Sequence, residues 1–170
     1  MNFEKVLTGG HPNSLGRTEE VVRRAGNDER LLDALFDTLQ SQDEVVRMRA
    51  GDALEKVCRE HPSWLHRRLD RVWAMGRINQ PSVQWHTSQI LSQLELSAQE
   101  RRRAIAWHWR ILDRTSDWIV ISEVLKALSL FARTSPVVRR RLPAALKHYQ
   151  EDSRPAVSRR ARKLLAELGA

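Results

Sequence analysis

The chain has 170 residues, of which 41% are hydrophobic and 29% charged, and its formal net charge is +8. This composition excludes a disordered chain, and no apolar run approaches the ~18 residues of a membrane-spanning helix. A single cysteine, Cys58, excludes an internal disulfide and a cysteine-based metal cluster. We expect a cytoplasmic protein without membrane association, since the first residues include Glu4 and lack the apolar core of a secretory signal.

The charge is distributed unevenly. Residues 1–100 contain 13 Lys or Arg and 15 Asp or Glu, whereas residues 101–170 contain 16 and 6. An asymmetry of this size indicates an acidic partner for the C-terminal part. A solvated, basic helix surface is the alternative explanation.

Residues 1–26 differ from the rest of the chain. They begin with loop chemistry, Gly9-Gly10 followed by Pro12, and continue with a short helix predicted near 17–25. Their apolar residues do not follow the spacing of the later segments. We therefore expect an N-terminal cap, because a terminal repeat covers the end of the core that it closes.

The remaining chain repeats one helical pattern with a period of 37 residues. Residues 40–57 place apolar side chains on a single buried helical stripe, at Val46, Ala50, Ala53, Leu54 and Val57. Steps of 37 residues lead, without a gap, to three further sets: Val83, Thr87, Ile90, Leu91 and Leu94; Val120, Val124, Ala127, Leu128 and Phe131; Val157, Ala161, Leu164, Leu165 and Leu168. A fixed period of about 20–50 residues is typical of a repeat architecture.

Each stripe is preceded by another predicted helix, so the helices form pairs. The first helices cover about 28–40, 63–75, 98–113 and 137–150. Helix-start signals support three of them: Pro62-Ser63, the capping box from Ser97 to Glu100, and Ser135-Pro136. No apolar alternation indicates a strand. The sequence therefore predicts a single all-α domain over 1–170, an α-solenoid of four helix pairs with a cap at 1–26 and repeats at about 27–61, 62–96, 97–134 and 135–170.

The second helix of the first pair resembles that of a HEAT repeat. The matching residues are Asp43, Val46, Arg47, Ala50, Ala53 and Leu54, and Pro143 matches a proline common in the first helices of that family. The later repeats depart from the motif at the arginine, where Gln84, Ile121 and Ser158 stand. The chain is also similar to small bacterial HEAT-repeat proteins without an established activity. The resemblance covers about 28–168 and implies a right-handed, HEAT-like solenoid that binds protein or nucleic-acid partners.

The six tryptophans lie in the second and third repeats. Trp73 and Trp109 share positions with apolar residues of other repeats, so we expect them in the core. Trp85 shares its position with Met48 and falls outside the stripe. Because second helices line the concave face of HEAT proteins, the resemblance places Trp85 there with Arg47 and Met48, as an anchor for a partner. Packing of Trp85 on a neighbouring repeat is the alternative.

The spacing of Trp109 and Asp113, i and i+4, resembles a feature of the HEAT-like alkylpurine DNA glycosylases, which hold a cationic base with Trp and Asp side chains. The register argues against this activity, because Trp109 points into the predicted core and Asp113 falls at the end of its helix. No zinc-peptidase, phosphate-loop or nucleophile-elbow pattern occurs. We expect no catalytic residue, no metal and no cofactor. We also expect the row formed by Arg49, His86, Glu123 and Arg160 to be a solvated edge.

The basic residues of the C-terminal half are ordered. Arg102 and Arg103 recur one period later as Arg139 and Arg140, which predicts a basic ridge along the first helices. The last helix adds Arg159, Arg160, Arg162 and Lys163. This surface suits phosphates, or it keeps the solenoid soluble.

Three hypotheses of function follow. The first is a non-catalytic protein-interaction scaffold that uses the concave face around Arg47, Met48 and Trp85. The second is nucleic-acid binding through the basic C-terminal half, and the third is a glycosylase-like repair protein.

Overall fold

The computed structural model describes residues 2–12 and 14–169, and every regular element in these ranges is helical. The α-helices are α1 Phe3–Leu7, α2 Thr18–Asn27, α3 Leu32–Asp37, α4 Glu44–Glu60, α5 Pro62–His66, α6 Leu69–Met75, α7 Pro81–Gln93, α8 Ala98–Leu112, α9 Trp118–Ala132, α10 Pro136–Gln150 and α11 Pro155–Glu167. Two 3-10 segments, Glu29–Leu31 and Thr38–Gln40, flank α3. The prediction of an all-α protein is confirmed.

Local chemistry explains where the long helices begin. Asp43 accepts a hydrogen bond from the Val45 amide at 2.8 Å, and Asp117 caps α9 in the same way. The capping box at Ser97 is formed, with the Glu100 side chain returning to the Ser97 amide at 2.8 Å. Helices α7, α10 and α11 start with a proline, whose missing N–H costs nothing at that position.

The predicted second helices correspond to α4, α7, α9 and α11, each without a break. In the first two pairs, the predicted first helix is interrupted. The segment 28–40 alternates 3-10 and α geometry, and 63–75 breaks between α5 and α6, where Arg68 has φ −116° and ψ 30°. The Arg68 side chain bonds both Glu29 and Asp33, so the interrupted helices are joined by ion pairs.

The chain divides into two compact units, Met1–Glu95 and Leu96–Ala170. In the first unit, α4 packs against α2 and α7. In the second unit, α9 packs against α8, α10 and α11. The predicted stripe is buried throughout both units except at Leu165 on α11 and at Leu168, which directly follows that helix; both are half-buried.

No helix within the described ranges combines the length and the apolar character needed to cross a membrane.

Candidate binding surfaces

The first candidate surface lies in the first unit, on α4 and α7, and consists of Arg47, Met48 and Trp85. The three side chains are all half-buried. Arg47 is held internally, because its guanidinium donates to the carbonyls of Ser41 and Gln42, at 2.7 and 3.1 Å, and to Gln80 Oε1 at 2.7 Å. Its role is therefore to fix the start of α4 against the start of α7. Met48 and Trp85 likewise keep part of their surface exposed.

The prediction that Arg49, His86, Glu123 and Arg160 form a solvated edge is wrong for the first two residues, which are buried. Arg49 has no exposed surface, and His86 is 7% exposed. Arg49 reaches into the N-terminal segment, where its guanidinium donates to the carbonyls of Leu7, Gly9, His11 and Ser14. The fourth member, Arg160, is only partly exposed and lies 3.7 Å from Glu123.

The sequence carried one signal for this arrangement, its glycines. Gly9, Gly10 and Gly16 all have positive φ, and a side chain at Gly16 would meet the Arg49 guanidinium at 2.9 Å. The loop can therefore turn its carbonyls towards Arg49 and approach it closely, because glycine adopts these φ angles without strain and has no side chain to collide with the guanidinium. The helical spacing of Arg49 could not show that a loop more than 30 residues away encloses it.

The second candidate surface is the predicted set of basic residues, all of which lie in the second unit. Seven of the eight are exposed: Arg102, Arg103, Arg139, Arg140, Arg159, Arg162 and Lys163. Arg102 and Arg103 are on α8, Arg139 and Arg140 on α10, and the other four on α11.

Some members of this set have internal partners. Arg139 donates to the carbonyls of Ala132 and Arg133, and Arg162 donates to that of Gln150. These bonds leave the positive charges at the surface, because a carbonyl does not neutralise a guanidinium.

The third candidate surface is a pocket of about 610 Å³ in the second unit, between α8 and α10. Trp109 lines it and is only 7% exposed, so its predicted core position is confirmed. Asp113, the residue that follows α8, also lines it. The guanidinium of Arg141 lies over the Trp109 ring, 3.9 Å from its centroid. A cationic base therefore cannot occupy that face of the ring.

Sequence reasoning assigned Arg102, Trp109 and Asp113 but did not connect them with α10. Among the lining residues that it missed are Val137 and Arg141, which are spaced i, i+4 on the first turns of α10. Val137 is 62% exposed. The signal for this site in the sequence was Val137, an apolar residue at the start of an arginine-rich helix.

Electrostatics show no activated nucleophile at Cys58, since burial raises the pKa of its thiol to about 12. Hydrogen bonds from Arg154 lower the pKa of Asp152 to about 2. The described residues include no cluster of three or more His, Cys, Asp or Glu side chains placed to hold a metal ion.

Comparison with known proteins gives a likeness of fold alone. The chain matches no protein-family profile and no curated protein sequence. The crystal structure of an engineered protein, a target of the Northeast Structural Genomics Consortium, is similar with a TM-score of 0.60 and 15% sequence identity. The match covers 98% of this chain and 78% of that chain. It agrees with the all-α fold and carries no activity to this chain.

Proposed function

We propose that the protein is a non-catalytic binding module whose partner is another protein. The observation that carries this proposal is the position of Trp85. The stripe residues Val83, Ile90 and Leu91 of the same helix have no exposed surface, whereas Trp85 is only half-buried. Tryptophan is enriched among the residues that dominate binding energies at protein interfaces. Met48, one period earlier and also half-buried, extends this surface to α4.

We also propose the architecture that presents this surface: a right-handed α-solenoid of four HEAT-like helix pairs behind an N-terminal cap, working in the cytoplasm of a bacterium. Its support is that residues about one period apart are in contact within each unit. Arg67 bonds Glu29 across 38 positions, and Gln93 bonds Glu55 across 38. In the second unit Arg154 donates to the Ser116 carbonyl, also 38 positions away. Such contacts are expected when each repeat packs on the next.

The test uses a photoreactive amino acid at position 48 of the full chain, in cells, with the same group at exposed position 130 as the matched control. A protein captured from position 48 and not from position 130 is then purified. Its affinity is measured for the wild type and for Trp85→Ala. We expect at least tenfold weaker binding by the variant, since an anchoring tryptophan is worth about 2 kcal/mol or more. Equal affinity of a folded Trp85→Ala protein would remove this surface from the interface.

A second candidate function, nucleic-acid binding, is favoured by the charge of the second unit. Residues 96–170 contain 16 Lys or Arg and 7 Asp or Glu, so at least nine positive charges have no acidic counterpart in that unit. Retention on heparin with a steep loss on added salt would favour this function over the first. Binding to a random duplex and a random single strand is then titrated with salt.

The variant for this titration is the double substitution Arg103→Glu and Arg140→Glu. Both residues are exposed, so folding should change by no more than about 0.5 kcal/mol each. Each lost phosphate contact should lower the salt slope by about one unit. Absence of wild-type binding at about 50 mM salt would remove this function. Binding that survives the substitution would move the contact to the basic residues of α11.

A further inference from the structure

The pocket between α8 and α10 shares one residue, Arg102, with the basic surface of the second candidate function, and none with the first surface. Its volume of about 610 Å³ falls in the range of about 300–1,000 Å³ that is typical of ligand sites. It lies wholly in the second unit, whereas Met48 and Trp85 lie in the first. Its occupant can therefore be inferred, and tested, independently of the first surface.

The interior of the pocket is apolar. Ile105, Ala106 and Trp109 line it from successive turns of α8, and Val137 lines it from the first turn of α10. Val137 is 62% exposed, so its side chain is not part of the packed core. An apolar side chain left open beside an apolar cavity is a feature of binding sites, because covering it with a partner removes that surface from water.

The rim of the pocket is basic. Arg102, Arg110, Arg114 and Arg141 line it, together with one acidic residue, Asp113. Within the described residues, none of these four arginines lies at ion-pair distance from an acidic side chain. The pocket thus joins an apolar interior to a rim with a local balance of three positive charges, which complements a ligand that is apolar at one point and anionic around it.

The rim also distinguishes between two kinds of anionic partner. A nucleic acid would use aromatic faces for stacking and bring phosphates to all sides of the pocket. The Arg141 guanidinium already covers the Trp109 ring at 3.9 Å, and the Asp113 carboxylate repels phosphates at one end. An acidic peptide does not need a free aromatic face, and it can keep its carboxylates away from Asp113.

We propose that this pocket binds an acidic peptide segment of a partner protein, with one large apolar side chain inserted between Ile105 and Val137 and flanking carboxylates paired with Arg102, Arg110 and Arg141. The stacking of Arg141 on Trp109 holds that guanidinium in place before binding, which lowers the entropy that binding must overcome. Along α8 the lining runs from Arg102 to Arg110, a rise of ~12 Å at ~1.5 Å per residue. An extended segment of about four residues covers this length at ~3.3 Å each.

The test measures fluorescence anisotropy of a labelled nine-residue peptide in which a central Phe is flanked on each side by Glu, titrated with the full chain. We expect a Kd between about 1 and 100 μM, the range of a single-anchor contact. Two control peptides replace either the Phe by Ser or every Glu by Gln, and each should bind at least tenfold more weakly. A random 12-nucleotide single strand serves as the nucleic-acid probe.

Variants of the protein locate the site. Val137→Glu places a carboxylate in the apolar part of the pocket lining, on an exposed position, so it should fold normally and lose at least tenfold in affinity for the Phe peptide. Ala106→Glu, exposed on α8, is a second variant of the same kind. The matched control is Lys147→Gln, which removes an exposed positive charge of α10 outside the pocket and should change affinity less than twofold.

Four results would overturn the proposal. They are no peptide binding at millimolar protein, equal binding of the Phe and Ser peptides, full affinity in the folded Val137→Glu and Ala106→Glu proteins, and an oligonucleotide that binds more tightly and displaces the peptide. The last result would assign the pocket to nucleic acid. The two proposals can fail separately. A peptide that binds as expected supports the pocket even if the Trp85→Ala experiment removes the first surface from any interface.

Discussion

The two units of the chain handle their charges in opposite ways. The first contains 13 basic and 14 acidic residues and joins them in ion pairs between helices, as Arg67 and Arg68 do with Glu29 at 2.7 Å. The second contains 16 basic and 7 acidic residues, so at least nine of its positive charges have no acidic counterpart in that unit. The first unit therefore uses its charge to hold its own helices together. The second retains a positive surface around an open apolar pocket.

The largest expected effect tests what the units share. Leu91→Ala in the first unit and Leu128→Ala in the second remove fully buried side chains one period apart, and each should lower the free energy of unfolding by about 2–5 kcal/mol. In the proposed solenoid each repeat stabilises its neighbour, so each change should also broaden the transition seen by circular dichroism in urea. Leu130→Ala, at an exposed position on α9, is the control and should cost little. A Leu91→Ala protein whose unfolding transition in urea is unchanged would show that the 37-residue register is wrong.

The next effect separates the units at one repeat position. Arg49→Met leaves the carbonyls of Leu7 and Gly9 without their buried donor, and should cost about 1–3 kcal/mol. Arg160→Met changes the corresponding residue of the last repeat, which is 34% exposed in its side chain, and should stay within about 0.5 kcal/mol. Urea unfolding of both proteins makes the comparison. If both substitutions lowered the free energy of unfolding equally, the bonds from Arg49 to the N-terminal segment would contribute nothing to the stability of the first unit.

A smaller effect concerns the packing of α4 on α7. A methyl group at Gly51 would lie 3.2 Å from His86 Cδ2 and 3.4 Å from Met75 Cε, and both neighbours are buried. Gly51→Ala should therefore lower the melting temperature despite the better helix propensity of alanine. The control is Gly26→Ala in α2, where the nearest atom is 3.9 Å away. That substitution should stabilise by up to about 1 kcal/mol. A more stable Gly51→Ala protein would show that His86 can move aside.

The smallest effect is a titration in the second unit. Arg154 lowers the pKa of Asp152 from 3.8 to about 2, so the ionised carboxylate is favoured in the folded state. Its stabilising contribution is present above about pH 4 and is lost as the pH falls towards about 2. Arg154→Gln should return the carboxyl pKa measured by NMR towards 3.8. A pKa that stays near 2 in this variant would assign the shift to another neighbour.

The helices and their buried stripe were predictable from the sequence because they depend on local order. Helical spacing determines which residues of α4, α7, α9 and α11 share a face, and capping residues such as Asp43 and Ser97 mark where helices begin. The charge difference between the halves was also predictable, since it is a count. Core positions such as Trp109 followed from the period alone.

Only the tertiary structure decided which side chains meet across the fold. The spacing of Arg49 indicated a solvated edge, yet loop carbonyls 35 to 42 residues away surround its guanidinium. The pocket required Val137 and Arg141 to face Trp109 from another helix, which no local pattern specifies. The physical reason is the same in both cases. Periodicity describes a single helix, whereas burial and complementarity of charge depend on the residues that a separate element brings opposite to it.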